Sequence, residues 1–207
     1  MMDTIQKAGP FAAFTNAVVA IATLYVALVM IGPDALIDQN KFVEIAVNNP
    51  TPLYIQDILK FISAVCGMVL IIVLYWRLHK EATLQMRVAA LCGCLSIFLL
   101  LSNAFLSLLA ISKAAEFAAT KSERGVQLNS LIGILAMAAI FANGMWYLLT
   151  SWTALKLSKL PKGLNYLGLA IGVIFLVPML GIIGLLLNVV WSFWLGRTLS
   201  GKNTVQQ

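Results

Sequence analysis

The sequence predicts an all-α fold, a single bundle of helices that spans a membrane. Three observations carry this expectation. Of 207 residues, 61% are hydrophobic and only 11% are charged, whereas a soluble domain averages about 25% charged. The apolar residues fall in long runs, each of a length that crosses a bilayer. The longest polar connection, Gly32 to Tyr54, falls short of the roughly 50 residues of a small soluble domain. Residues 1–207 therefore read as one transmembrane domain.

Taken in order, Met1 to Pro10 is a short polar lead with Lys7. Pro10 suits the first turn of a helix, where a missing N–H loses no bond. The first span is expected at about 11–31, stopped by Gly32-Pro33-Asp34. It is longer than the apolar stretch of a signal peptide and reads as a retained span. The following loop carries Asp34, Asp38 and Glu44 against Lys41. Within it Ala35, Leu36, Phe42, Ile45 and Ala46 recur at roughly helical spacing, which predicts a short amphipathic helix. Asn48-Asn49-Pro50-Thr51-Pro52 breaks it.

The second span is expected at about 53–76. Asp57 and Lys60 lie three residues apart, so they share a helix face and can pair. Their place in the first turns predicts an interfacial ion pair, with the lysine reaching toward the headgroups. Arg77, His79, Lys80 and Arg87 make the next connection basic. The third span, about 88–112, places Ala89, Gly93 and Ser96 on one face and Asn103 inside. The alanine-rich stretch from Lys113 to Arg124 is expected to prolong that helix beyond the bilayer. The fourth span, about 128–150, contains Asn143-Gly144. In Ser151 to Leu160, apolar residues alternate with Lys156 and Lys159. This amphipathic continuation suits a headgroup layer, and with Lys162 these lysines are expected to contact anionic lipid.

The run Gly163 to Leu199 decides the topology. As one helix it leaves five spans and puts the chain ends on opposite sides. As a hairpin turned near Pro178 and Gly181 it makes two spans, about 164–179 and 182–198, and puts both ends on one side. A single helix kinked at Pro178 is a third form. Counting lysines and arginines arbitrates. With a cytoplasmic N-terminus, six spans place nine basic residues inside and five outside, while five spans place seven on each side. The bias favours six, with five as the alternative. Gly168-x-x-x-Gly172 has the spacing of close helix contact and is expected to serve packing within the chain.

The missing chemistry narrows the function. The chain has a single histidine, His79, in a basic loop. That excludes bis-histidine haem within the chain and histidine-cluster metal sites, while a solvated position is expected for the ring itself. Cys66, Cys92 and Cys94 lie in apolar runs and form neither a disulfide framework nor a metal-ligand spacing. No acid is placed at mid-membrane, which disfavours ion-coupled transport. No nucleophile has a base beside it. Neither a metal nor a cofactor is expected, and no enzyme activity. The net charge of +6 is explained by helix ends facing anionic lipid, not by nucleic acid.

From Leu160 onward the residues carry a resemblance. Leu160-Pro161-Lys162-Gly163-Leu164, Leu167-Gly168-Leu169, Gly184 to Trp191 and Trp194-Leu195-Gly196 resemble the C-terminal part of a bacterial family of multi-pass membrane proteins classed only as a domain of unknown function. The resemblance implies about six spans and a proline-marked entry to the second, matched here by Asn49-Pro50-Thr51-Pro52. It implies no activity. The polar intramembrane residues Asn103, Asn143 and Asn188 are expected to bond between helices. Asn103 and Asn188 reach similar depth only if the last run folds back. Two functions follow as expectations. The first is an accessory or scaffold subunit of a larger assembly in a cell membrane, the bacterial inner membrane, with lipids and other membrane subunits as partners. The alternative is a carrier, channel or receptor for a neutral or lipidic small molecule.

Overall fold

A computed structural model describes residues 2–32, 39–120, 123–177 and 180–201. Among these the structure is all helix, with no strand. Helix α1 is Met2–Tyr25, continued by a π-helical turn, Val26–Ile31. Then follow α2, Gln39–Asn48; α3, Thr51–Leu78; α4, Thr83–Ser112; α5, Ala114–Thr120; α6, Glu123–Lys156; α7, Lys162–Phe175; and α8, Gly181–Gly201. Five helices are long and apolar enough to cross a membrane: α1 with its π turn, α3, α4, α6 and α8. Helix α7 is apolar but has only 14 residues.

The six long and apolar helices form a closed ring in chain order. Helix α1 packs on α3, α3 on α4, α4 on α6, α6 on α7, α7 on α8, and α8 returns to α1. Every neighbouring pair is antiparallel. Gly67 lies against Ile97 and Gly93 against Ile71. Ser96 bonds the Ala139 carbonyl, and Asn103 the Ile132 carbonyl. Gly9 sits against both Val73 and Leu199, which closes the ring and puts the two ends of the described chain at one end of the bundle. The connections at that end carry the basic residues, and Lys159 there pairs with Glu81 at 2.7 Å.

The run Gly163 to Leu199 is a hairpin and not one continuous helix. Gly163 meets Trp194, Gly168 meets Trp191, and Gly184 meets Phe175, so the two arms run in opposite directions. Glycine is required here because any Cβ at these points would meet an aromatic ring of the other arm. Gly168 and Gly172 also take α7 onto α6, against Ser151 and Leu148. The GxxxG spacing thus packs within the chain. Pro178 lies outside the described residues.

Two expectations need correction. The stretch after Ser112 does not prolong the third helix. Lys113 leaves the helical conformation (φ −109°, ψ 7°) while its N–H still bonds back to Leu109 and Ala110 carbonyls. Helix α5 then packs on α2, because Ala114 gains burial beside Ala46, Leu53 and Ile111. The amphipathic segment after Thr150 stays helical to Lys156 and ends at Ser158, whose φ of 51° closes the turn. Lys159 N–H then bonds the Ala154 carbonyl, the pattern of a left-handed C-terminal cap. Ala35 and Leu36 of the predicted amphipathic helix lie outside the described residues.

The main core fills the basic half of the bundle. Leu74, Leu78, Met86, Leu164, Ile171 and Leu195 are each at most 1% exposed. Trp146 and Trp191 are buried in this core, while Trp76, Trp152 and Trp194 are exposed. A second, smaller cluster at the opposite end joins Val26, Ile31, Ala46, Leu53, Ile111 and Ala114.

Candidate functional site

Between the two clusters the ring does not fill. A cavity of about 520 Å³ is bordered by α1, α3, α4, α6 and α8. The volume is in the range of small-molecule sites. Its polar groups come from positions that each helix turns inward.

On α3, Asp57 and Lys60 are one turn apart. Lys60 Nζ donates to Asp57 Oδ1 at 2.7 Å and to Asn103 Oδ1 on α4 at 2.8 Å. Asn103 Nδ2 donates in turn to the Ile132 carbonyl of α6 at 2.8 Å. Three helices are thereby tied through one ammonium group. Asp57 is 1% exposed and Lys60 23% by side chain. The pair faces the interior of the bundle. Asp57 Oδ2 is buried with no hydrogen-bond partner. Two of the three N–H donors of Lys60 are used in these bonds.

A second chain of hydrogen bonds crosses the ring nearby. Ser63 on α3 donates to Asn16 Oδ1 on α1 at 3.3 Å, and Asn16 Nδ2 donates to Ser192 Oγ on α8 at 3.0 Å. Ser192 donates to Asn188 Oδ1 at 3.1 Å, and Tyr147 Oη on α6 donates to the same atom at 2.6 Å. Asn16, Asn188, Ser192 and Tyr147 are all buried. In a low-dielectric interior an unpaired polar group is costly, so each link holds its neighbour in place.

The structure brings Asn103, Asn143 and Asn188 to the wall of one cavity, together with Asp57 and Lys60. The basic residues after α6 are elsewhere. Lys156 Nζ lies 5.3 Å over the Trp152 ring, Lys159 pairs with Glu81, and Lys162 begins α7 in an exposed position. His79 stacks on Tyr75 with ring centroids 5.0 Å apart. Among the described residues no group of three or more His, Cys, Asp or Glu side chains gathers to hold a metal.

Sequence reasoning passed over Asn16, Ser63, Gln56 and Tyr147, all of which border the cavity or bond to groups that do. The signal for Asn16 was available: it is the asparagine inside the first apolar run. Tyr147 carried none, since an aromatic residue near a span end serves packing as readily as bonding.

The fold and this cavity define an integral membrane protein built of apolar helices around an internal polar site. Residues 11–197 match the family model described as "Domain of unknown function (DUF4386)", and the chain belongs to that family. No curated protein and no solved structure matches the chain.

Proposed function

We propose that this protein is a carrier or receptor that binds a small neutral or lipidic molecule in the central cavity. The observation that carries this reading is the convergence of polar side chains from five helices on one cavity. A bundle that needed only to be stable would fill that volume with apolar side chains, since a buried ion pair is weak evidence for stability. Asp57 offsets the charge of Lys60, so the site favours an uncharged ligand. The reading is of binding: the polar groups described at the cavity bond each other.

The same reading takes α7 as a short sixth span, with both chain ends in the cytoplasm of a bacterial cell and the bundle in its inner membrane. At 1.5 Å per residue α7 rises about 21 Å against a hydrocarbon core of roughly 30 Å. The excess of basic residues at the end shared by Gly9 and Leu199 supports a cytoplasmic placement of that end. Lys156, Lys159 and Lys162 there suit anionic lipid.

Ligand-induced thermal shifts test the proposal. A panel of neutral membrane-soluble compounds should raise the melting temperature of the purified protein. Asn103→Leu and Asn188→Leu should abolish the shift while the proteins remain monodisperse. If both variants fold and the shift persists, the asparagines serve only to join helices.

A second reading, an accessory subunit of a larger membrane assembly, is favoured by α6. Only 17% of its most apolar stretch is buried, against 33% or more in the other long helices. Purification in mild detergent at native expression separates the readings. A lone monomer with no copurifying protein counts against the accessory role.

A further inference from the structure

Among the described residues, packed side chains stand across the cavity along the bundle axis in both directions. Toward the basic end the core stands across it, with Leu74, Trp146 and Trp191 at most 5% exposed. Toward the other end Leu53 and Ile111 pack under α2 and α5. The remaining way out is sideways, and the short hairpin leaves one. Phe175, at the end of α7, lies against both Gly144 of α6 and Gly184 of α8. The end of α7 and the start of α8 therefore stand near the level of Gly144. Gly133 is eleven residues further along α6, about 16 Å at helical rise. Helix α6 packs mainly on α4 and α7, and α1 mainly on α3 and α8.

Gly133 marks the gap. It borders the cavity, it is exposed, and a Cβ placed on it would meet no atom within 4 Å. Val19, Ala20 and Thr23 of α1 and Leu185 of α8 border the same cavity. All are apolar or small except Thr23, whose hydroxyl donates to the Val19 carbonyl. A charged or strongly hydrated solute finds no partner on such a rim.

Inside, Lys60 presents the remaining donor. Its ammonium keeps one N–H after bonding Asp57 and Asn103. Because Asp57 offsets its charge, an anionic head would add an uncompensated charge to a low-dielectric site. A neutral acceptor adds none. Asp57 Oδ2 is sealed from the cavity and is not the docking atom.

We propose that the cavity is entered sideways from the lipid, between α1 and α6 beside Gly133. Its ligand is a membrane-dissolved molecule with an apolar body and an uncharged hydrogen-bond acceptor, an ester, ketone or amide, seated on Lys60. This rests on the reading of the cavity as a binding site.

Photolabelling in phosphatidylcholine vesicles tests it. The probes are a diazirine-bearing medium-chain fatty acid methyl ester and a diazirine hydrocarbon of equal length, with labelled peptides mapped by mass spectrometry. The ester should label the cavity wall near Asn103 and Ala136, and the hydrocarbon only lipid-facing side chains. By obstructing entry, Gly133→Trp should cut cavity labelling after a brief exposure to probe about tenfold. Gly181→Leu, also in open space but off the cavity, should leave it unchanged. Gly133→Leu serves if the tryptophan variant does not fold. The neutral pair Asp57→Asn with Lys60→Met should remove the preference for ester over hydrocarbon. Full cavity labelling in both folded Gly133 variants overturns sideways entry while leaving binding intact. Equal cavity labelling by ester and hydrocarbon overturns the docking on Lys60. No cavity labelling of the wild type by either probe, with no thermal shift from the neutral panel, overturns the binding reading itself.

Discussion

At Lys60 a single ammonium group holds three helices. It bonds Asp57 on its own helix and Asn103 on α4, and Asn103 passes the link to α6. Removing one charge leaves the other unpaired in the interior, which for buried pairs costs about 3–5 kcal/mol. Lys60 keeps some access to the cavity, so Asp57→Ala should fall at the low end, about 3 kcal/mol, in denaturant unfolding of the detergent-solubilised protein. Adding Lys60→Met to Asp57→Leu should recover most of the loss, because two apolar groups leave no charge to solvate. A double variant no more stable than Asp57→Ala would show that the pair is not acting through charge. Asn188 accepts from both Tyr147 and Ser192. Asn188→Leu strands the buried Tyr147 hydroxyl and should cost about 1–2 kcal/mol by the same assay, between typical intramembrane bonds and a stranded buried donor.

Among the elements, the α7–α8 hairpin has the strictest sequence requirements. Its arms approach at Gly163, Gly168 and Gly184, each under an aromatic ring, and Gly172 reaches the Gly144 carbonyl across to α6. Gly168→Val would press on Ser151 and Trp191. Overpacking of this kind costs about 1–3 kcal/mol, and it should appear as a lower melting temperature and a shift to aggregate in size-exclusion chromatography. Gly133→Ala, in open space, should leave both readouts unchanged. Equal effects from the two would show that α7 is not tightly seated on α6. The pairing of α5 with α2 is a second element-level feature. It covers the end of the bundle opposite the basic connections, and it depends on the helix break at Lys113.

For the molecule as a whole, the ring fixes where the ends lie. Six alternating antiparallel helices return the chain to the end it started from, and Gly9 beside Leu199 is the contact that shows it. A C-terminal fusion should therefore report the same side as an N-terminal one. If the proposed cytoplasmic placement of that end holds, green fluorescent protein should be bright at either end and alkaline phosphatase inactive at either. Opposite sides for the two ends would mean that the hairpin does not cross. Much of this architecture was legible in the residues. Long apolar runs mark spans because backbone in lipid must satisfy its own hydrogen bonds. The basic residues gathered at alternate connections point to the fold-back of the last run. Less of the site was legible. Asn103, Asn143 and Asn188 stood out as polar residues in apolar runs, whereas Asn16 and Ser63 did not.

The sequence by itself determined the solvent and the helical class, and it favoured, without deciding, a turn within Gly163 to Leu199. These follow from composition and from charge at helix ends, which are local properties of the chain. It also determined that Asp57 and Lys60 share a face, because three residues span most of a turn. Only the tertiary structure decided what that face meets. Helix rotation and tilt turn the pair inward to Asn103, bring Asn188 under Tyr147, and leave a polar cavity inside the ring. Those outcomes depend on how six helices pack at once, and no single run of residues encodes them.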